Sequence, residues 1–344
     1  MKAAVIEDFN NIVMKEVPEP ELGYDEALVK VEYAGICGTD VHIFSGHHKQ
    51  AKPPLIPGHE FVGRLAKVNT DKPIDFKIGQ RVAAQPLTGC GKCELCIQGR
   101  DNVCVDLNIF GVHSNGCFAE YIKVPLKKVY AVPEDIDPKI VALVEPLAVA
   151  MHDVRRSNLM VGQTTLIIGG GPIGILIAMV AKLNGASKVV ISEINEKRIK
   201  FAEDMDMGFD MINPLKDDVD GKIKNLTDNM GFDIVYEVSG VQAGADLMTK
   251  AAKIGGTIMM IGIPSKNYNV DTGAITLKEL KMEGVRIHAQ INFAAALDVI
   301  INNVFNDKLK RLITNEFSIE NIKEAMEFSI NDKDHFKVLL KMDK

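Results

Sequence analysis

The stretch "TTLIIGGGPIGILIAMV" sets Gly169, Gly171 and Gly174 in the spacing G-x-G-x-x-G, directly after a strand-type run and at the start of a helix-type run. No other feature of the chain restricts its possible folds as much. The first glycine permits a tight turn, the second lets a pyrophosphate approach the backbone, and the third lets helix and strand pack closely. The helix that opens at Pro172 and Ile173 turns its free N–H groups toward phosphate charge. A second strand-type run, "KVVIS", leads into Glu193, about 20 residues beyond the turn. A carboxylate there accepts hydrogen bonds from an adenosine ribose and repels a 2′-phosphate, so NAD is expected over NADP. Lys197 and Arg198 lie close behind, and an arginine so placed can accommodate that phosphate.

The same half of the chain alternates short apolar runs ("TTLIIGG", "KVVISE", "FDIVYEV", "GTIMMIGI") with helical ones ("IGILIAMVAKLNGA", "NEKRIKFAEDMD", "GADLMTKAAKI"). That alternation predicts a parallel sheet covered by helices on both faces, an α/β doubly wound domain. Before it, runs such as "EALVKVEYAGI", "FVGRLAKV", "QRVAAQP" and "FAEYIKVP" mix β-branched and aromatic residues between Gly and Pro, as in a barrel-like β domain. A chain of 344 residues exceeds one ordinary core. The expected division is a β domain over residues 1–150, a nucleotide-binding domain over 151–288, and a segment over 289–344 of two helices and a final strand. The tail's periodicity does not say which domain it joins.

Four of the six cysteines fall in "CGKCELCIQGRDNVC", within a loop spanning 89–105. Net charge is −6, which excludes the basic face of a nucleic-acid binder. No run is long and apolar enough for a membrane span, and the start lacks a signal pattern, so the cytosol is expected. In that reducing compartment clustered cysteines bind metal more often than they form disulfides. Cys90, Cys93, Cys96 and Cys104 can surround a tetrahedral zinc without another ligand, which makes such a site structural. An iron–sulfur cluster takes the same four thiolates and is the competing reading.

A second group is dispersed: Cys37 in "AGICGTDVH", His59 and Glu60 in "PGHEFVG", and Glu145 in "VEPLAVAMH". Singly, Cys37 reads as a small buried hydrophobe and His59 as a satisfied loop histidine. Together they are the thiolate, imidazole and carboxylate set of a catalytic zinc with an open position. Such a zinc lowers the pKa of an alcohol, the chemistry a nicotinamide site requires of its partner.

In order along the chain, Gly35 to Asp40, Gly58-His59-Glu60, the cysteine loop, Phe118 to Tyr121, Glu145 to Ala148 and the Gly169–Gly174 turn resemble the zinc-dependent medium-chain dehydrogenases, in the branch of the polyol dehydrogenases. The resemblance spans essentially the whole chain. It implies a GroES-like catalytic domain rejoined by the C-terminal segment, a Rossmann domain, and an active site between them. It implies that Cys37, His59 and Glu145 are catalytic zinc ligands, directly or through water, with Glu60 a ligand or near-ligand. Glu145 stands where primary-alcohol members carry a cysteine, and this chain has no cysteine after Cys117. By the same resemblance Thr39 receives the substrate proton, His42 relays it, and His113 lines the cleft. Expected assembly is a homodimer or homotetramer joined through Rossmann sheet edges, with "TIMMIGIPSKNYNV" as the candidate edge.

The activity so implied is reversible oxidation of a secondary hydroxyl in a polyol, sugar acid or sugar phosphate. Threonine-type and butanediol-type oxidation are alternatives within the family. A non-catalytic zinc- and nucleotide-binding regulator is the alternative outside it. His47, His48, Lys49 and Lys52 in "SGHHKQAK" are either a solvated loop tip or a contact for an anionic substrate. Cys117 is expected to be a free thiol.

Overall fold

A computed structural model describes residues 1–264 and 266–342. Contacts divide the chain into Met1–Ala148 together with Ala289–Lys344, and Val149–His288. The boundary at Ala148 falls inside the helix Val144–Arg156.

The first unit is organised on the strand Glu26–Ile36, eleven residues long, whose apolar positions are buried almost throughout. One edge pairs antiparallel with Glu60–Asn69. The other edge is shared, with Tyr121–Pro125 on its first half and Lys337–Lys341 on its last residues. Ile313–Ser318, Arg81–Ala84 and Val129–Ala131 complete a seven-stranded sheet. Register shifts at Leu28/Val29 and Val31/Tyr33 bend this strand pair, as bulges do. Leu28, Val29, Phe61, Val62 and Leu65 are buried with essentially no exposure. Each such side chain contributes roughly 1.5–3 kcal/mol by leaving water.

The second unit holds a six-stranded, wholly parallel sheet. Its strands run across the sheet as Asp210–Ile212, Lys188–Ser192, Thr164–Ile168, Phe232–Glu237, Ala252–Met260 and Lys281–Gly284. Numbered along the chain this is the order 3-2-1-4-5-6 of a doubly wound dinucleotide fold. The order reverses between Thr164–Ile168 and Phe232–Glu237, so the Gly169 turn leaves the sheet at its switch point. The fold is therefore α/β, a GroES-like β domain with a Rossmann domain.

Two expectations need correction. The tail is richer than two helices and a strand: it has helices Gln290–Ile301, Asn306–Leu312 and Ile322–Asn331, and strands Ile313–Ser318 and Lys337–Lys341. The extra strand, "ITNEFS", is an edge strand with only half-buried alternate positions, which weakens its pattern. The candidate edge "TIMMIGIPSKNYNV" is not an edge either. Its strand portion pairs with neighbours on both sides, and Lys281–Gly284 lies outermost. Ser265 of that stretch lies outside the described residues. Among the described residues, no helix is long and apolar enough to cross a membrane.

Candidate active site

Strand pairing builds the first cluster. Cys37 follows directly on Glu26–Ile36 and precedes the helix Gly38–Phe44. Glu60 opens the adjacent strand opposite Gly35, with His59 just before it. Residues more than twenty apart in sequence thus end at one point, and ligand atoms of Cys37, His59 and Glu60 lie within 4.8 Å of one another. His59 and Glu60 are buried, and Cys37 is half-buried.

Asp40 lies in the first turn of the helix, and its place in the sequence motif gives no sign of its role. It is fully buried, and its carboxylate accepts the N–H of Cys37 at 2.9 Å and of Gly58 at 3.0 Å. Its Oδ1 stands 3.7 Å from Nδ1 of His59, a buried nitrogen that has no hydrogen-bond partner. Burial raises the Asp40 pKa above the usual carboxylate range, against the pull of His59. Burial alone would lower His59, but Asp40, then Cys37 and Glu145, push it well above an ordinary imidazole.

Lys337 gave no signal in the sequence beyond a lysine opening an apolar strand. Its buried Nζ lies 2.7 Å from both oxygens of Glu60. Burial raises Glu60, with Lys337 the largest opposing influence. Glu145 opens the helix Val144–Arg156 and is buried. It acts electrostatically on His59, Glu60 and Lys337 but stands outside the three-residue cluster. Cys117 is a buried thiol raised by desolvation, with its Sγ 3.7 Å from the Glu60 carbonyl oxygen.

The donor set fits a metal. A thiol, an imidazole and a carboxylate converge, and a second buried carboxylate faces the imidazole at 3.7 Å, close enough to favour its charged form electrostatically. Thr39 and His42 sit three residues apart on Gly38–Phe44 and share a helix face. Thr39 is half-buried and His42 is exposed at the residue level. Partial desolvation and then His47, 6.3 Å away ring to ring, lower the His42 pKa.

The cysteine loop converges as well: sulfurs of Cys90, Cys93, Cys96 and Cys104 lie within 4.8 Å of one another. Sulfurs about 2.3 Å from a tetrahedral zinc stand about 3.8 Å apart. The Cys93 and Cys104 sulfurs are separated by 3.8 Å, far beyond a disulfide. Backbone N–H groups of Cys90 and Asp106 point at the Cys104 sulfur, and that of Cys93 at Cys90. Such donors stabilise thiolate, and Cys93 falls to about 6, chiefly through the Cys96 N–H. The loop is fastened by Lys128, whose buried Nζ meets Asp101 at 2.6 Å, Gln85 at 2.5 Å and Gln290 at 3.1 Å.

In the second unit Gly169 has φ +107°, and a Cβ on Gly174 would lie 1.9 Å from the Gly169 carbonyl oxygen. Both positions demand glycine. Gly171 caps the helix Pro172–Leu183, with Pro172 at its first position and Ile173 half-buried behind it. Glu193 accepts N–H groups from Gly170 at 2.8 Å, Ile194 at 2.7 Å and Asn195 at 2.8 Å, which pins its carboxylate against the turn. A side chain at Gly171 would come within 3.5 Å of the Arg198 guanidinium, so carboxylate and guanidinium both border the turn.

His48 caps its own loop through the N–H groups of Gln50 and Ala51, while Lys49 and Lys52 are exposed. His113 accepts the Ile109 N–H at 3.0 Å, with its other nitrogen 3.4 Å from Gln50. A cavity of about 710 Å³ in the first unit is lined by Leu55, Ile56, Phe110, Ser114 and Tyr121 among others. Neither Cys37, His59, Glu60 nor Glu145 borders it.

Residues 23–134 match the family described as alcohol dehydrogenase GroES-like domain, and residues 172–302 match zinc-binding dehydrogenase. Sorbitol dehydrogenase of Bacillus subtilis is 31% identical over 97% of this chain and 94% of its own. L-threonine 3-dehydrogenase of Escherichia fergusonii is 33% identical, covering 96% of each. The 2-dehydro-3-deoxy-L-galactonate 5-dehydrogenase of Pseudoalteromonas atlantica is 36% identical, covering 92% of this chain and 90% of its own. Among solved structures, a zinc-binding dehydrogenase of Sinorhizobium meliloti bound to NADP superposes with TM-score 0.89 at 32% identity, covering 99% and 98%. The 2R,3R-butanediol dehydrogenase of Bacillus subtilis does so with TM-score 0.90 at 27% identity, covering 99% of each.

Proposed function

The chain belongs to the zinc-binding dehydrogenases with an alcohol dehydrogenase GroES-like domain, and on that premise we propose that it oxidises a secondary hydroxyl of a polyol, sugar acid or sugar phosphate to a ketone, reversibly and with NAD. The observation that carries this reading is the convergence of half-buried Cys37 with buried His59 and Glu60. Cys37, His59 and Glu145 would hold the catalytic zinc, with Glu60 beside it, and the four-cysteine loop would hold a structural one. When bound, the zinc supplies a Lewis acid that lowers the pKa of the substrate hydroxyl, and the nicotinamide supplies the hydride acceptor. Asp40 orients the His59 ring. Thr39 receives the hydroxyl proton and His42, on the same helix face, passes it outward.

Polyol and sugar-acid substrates are favoured because relatives acting on both match nearly the whole chain. Threonine-type oxidation is the second reading, supported by a relative of comparable identity. Glu193 supports NAD; Arg198 beside Gly171, and a neighbour bound to NADP, support some use of NADP. Self-association as a homodimer or homotetramer would use the outer strand Lys281–Gly284.

The deciding experiment supplies NAD⁺ or NADP⁺ with polyols, sugar acids, sugar phosphates, butanediol and L-threonine, and follows absorbance of the reduced cofactor. Turnover confined to L-threonine replaces the polyol reading. Failure of the whole panel with zinc bound returns the chain to a binding or regulatory role.

A further inference from the structure

Glu237 closes the strand Phe232–Glu237 and is fully buried, yet it belongs to neither the metal cluster nor the glycine turn. It pairs in register with Ile168 on one side and Met260 on the other, so it stands at the switch point of the parallel sheet. In such a sheet a dinucleotide lies in the crevice outside the carboxyl ends of the strands. The glycine turn and Glu193 belong to the adenosine half of that crevice. The nicotinamide half begins with the strand that Glu237 ends.

Backbone and side chain of Glu237 hold different segments. Its carbonyl oxygen accepts the N–H groups of Ile261 and Gly262, each at 2.9 Å. Its carboxylate folds back over the residues that follow it. Oε1 accepts the Ser239 N–H at 2.9 Å, the Gly240 N–H at 3.0 Å and the Ser239 hydroxyl, and the Tyr268 hydroxyl stands 3.4 Å from Oε2. Side chains are excluded around this knot: a Cβ on Gly244 would lie 2.6 Å from Oε1, and one on Gly262 would lie 2.4 Å from the Gly240 nitrogen. Ser239 in turn borders the glycine turn, where a Cβ on Gly169 would meet its nitrogen at 3.2 Å.

A buried carboxylate is tolerated only where hydrogen bonds satisfy it. The donors here are neutral and come from Ser239, Gly240 and Tyr268. Their segments must therefore stay folded over the charge, and loosening either one exposes or strands it. We propose that Glu237 is a positioning residue for the nicotinamide half of the cofactor, its carboxylate tying Ser239, Gly240 and the Tyr268 segment into the wall against which that half docks. This deepens the dehydrogenase reading and rests on it. Glu237 has no contact with cofactor in this account; it acts through the segments it holds.

The test is isothermal titration of the zinc-loaded, full-length protein with NAD⁺, with NADP⁺ and with AMP, the last a probe of the adenosine half alone. Glu237→Met removes the acceptors at similar side-chain length. It is expected to weaken whichever dinucleotide wild type binds by about tenfold or more, because the wall must then be ordered at the moment of binding. AMP affinity is expected to stay at the wild-type value, whereas general damage to the unit would lower both. Glu237→Gln keeps an oxygen for Ser239 and Gly240 and is expected to restore most of the loss, which a requirement for the charge itself would not allow. Gly244→Ala keeps the carboxylate but crowds Oε1, in a helix that alanine favours over glycine, and is expected to weaken the dinucleotide and spare AMP too. Unchanged dinucleotide affinity in Glu237→Met overturns the proposal, as does equal weakening of AMP or a Glu237→Gln protein as weak as Glu237→Met. Should Glu237→Met fail to fold, Gly244→Ala decides by the same outcomes for dinucleotide and AMP. Binding needs no substrate, so an inactive panel leaves this test intact, whereas a wild type that binds neither dinucleotide overturns both readings.

Discussion

Asp40 holds both ends of the strand junction at once: one oxygen accepts the Cys37 N–H, the other the Gly58 N–H, and that second oxygen faces His59 Nδ1 at 3.7 Å. A single buried carboxylate therefore sets the positions of a thiol and an imidazole that the chain separates by a helix and a long loop.

Asp40→Asn should weaken the catalytic metal site without removing a ligand. An amide group turns an N–H toward one of two backbone donors and gives up the charge opposite His59. Loss of such a second-layer partner costs about 10–100-fold in metal affinity. Dialysis against graded chelator, followed by zinc analysis, should show the first zinc leaving at lower chelator concentration than in wild type. Unchanged retention in a folded Asp40→Asn protein would contradict this role.

Lys128→Met should destabilise the cysteine loop. The Lys128 side chain is 3% and Asp101 16% exposed, so removing the cation leaves a largely buried carboxylate unpaired. Breaking a buried pair from one side costs roughly 3–5 kcal/mol. The double variant Lys128→Met/Asp101→Asn should recover a large part of that loss, since the stranded charge is gone. Thermal melts of the four proteins measure it, and additive losses would show the pair to be uncoupled.

Asp153 carries a pH dependence. It is 1% exposed, both carboxylate oxygens lack a hydrogen-bond partner, and burial raises its pKa well above the carboxylate range. The folded state binds this proton more tightly than the unfolded chain does. Its stabilising effect is therefore complete below the unfolded pKa of about 3.9 and is lost as pH rises toward the raised folded value, by about 1.4 kcal/mol per unit across that window. Asp153→Asn, a shape match for the neutral acid, should gain on wild type as pH rises from acid to alkaline. Melting temperatures of both proteins across that range check it; a gap independent of pH would contradict it.

What the sequence disclosed follows from how far apart the cooperating residues lie. The cysteine loop was readable because its four ligands share one short stretch. The Gly169–Gly174 turn was readable because strand, turn and helix are contiguous and each glycine answers a local backbone demand. Cys37, His59 and Glu60 were readable as types, but only the pairing of Gly35 with Glu60 makes them one cluster. Lys337 was not readable: it meets Glu60 across 277 positions, through the C-terminal strand, and no local pattern encodes that pairing. The sheet edge was misjudged for a similar reason. Ala252–Met260 has the stronger apolar run, yet the weaker Lys281–Gly284 strand adds beyond it and takes the outer place.

The central claim is a division of labour: chemistry at Cys37 and its neighbours, fastening at the four-cysteine loop. It is tested most directly by measuring zinc content, melting temperature and turnover together in Cys37→Ser and Cys96→Ser. The account predicts that Cys37→Ser melts close to wild type, carries one zinc fewer and has lost turnover by several orders of magnitude. It predicts that Cys96→Ser loses a zinc and melts early, with turnover failing only as the fold does. A Cys96→Ser protein of normal stability and no turnover, or a Cys37→Ser protein that still turns over, would contradict it.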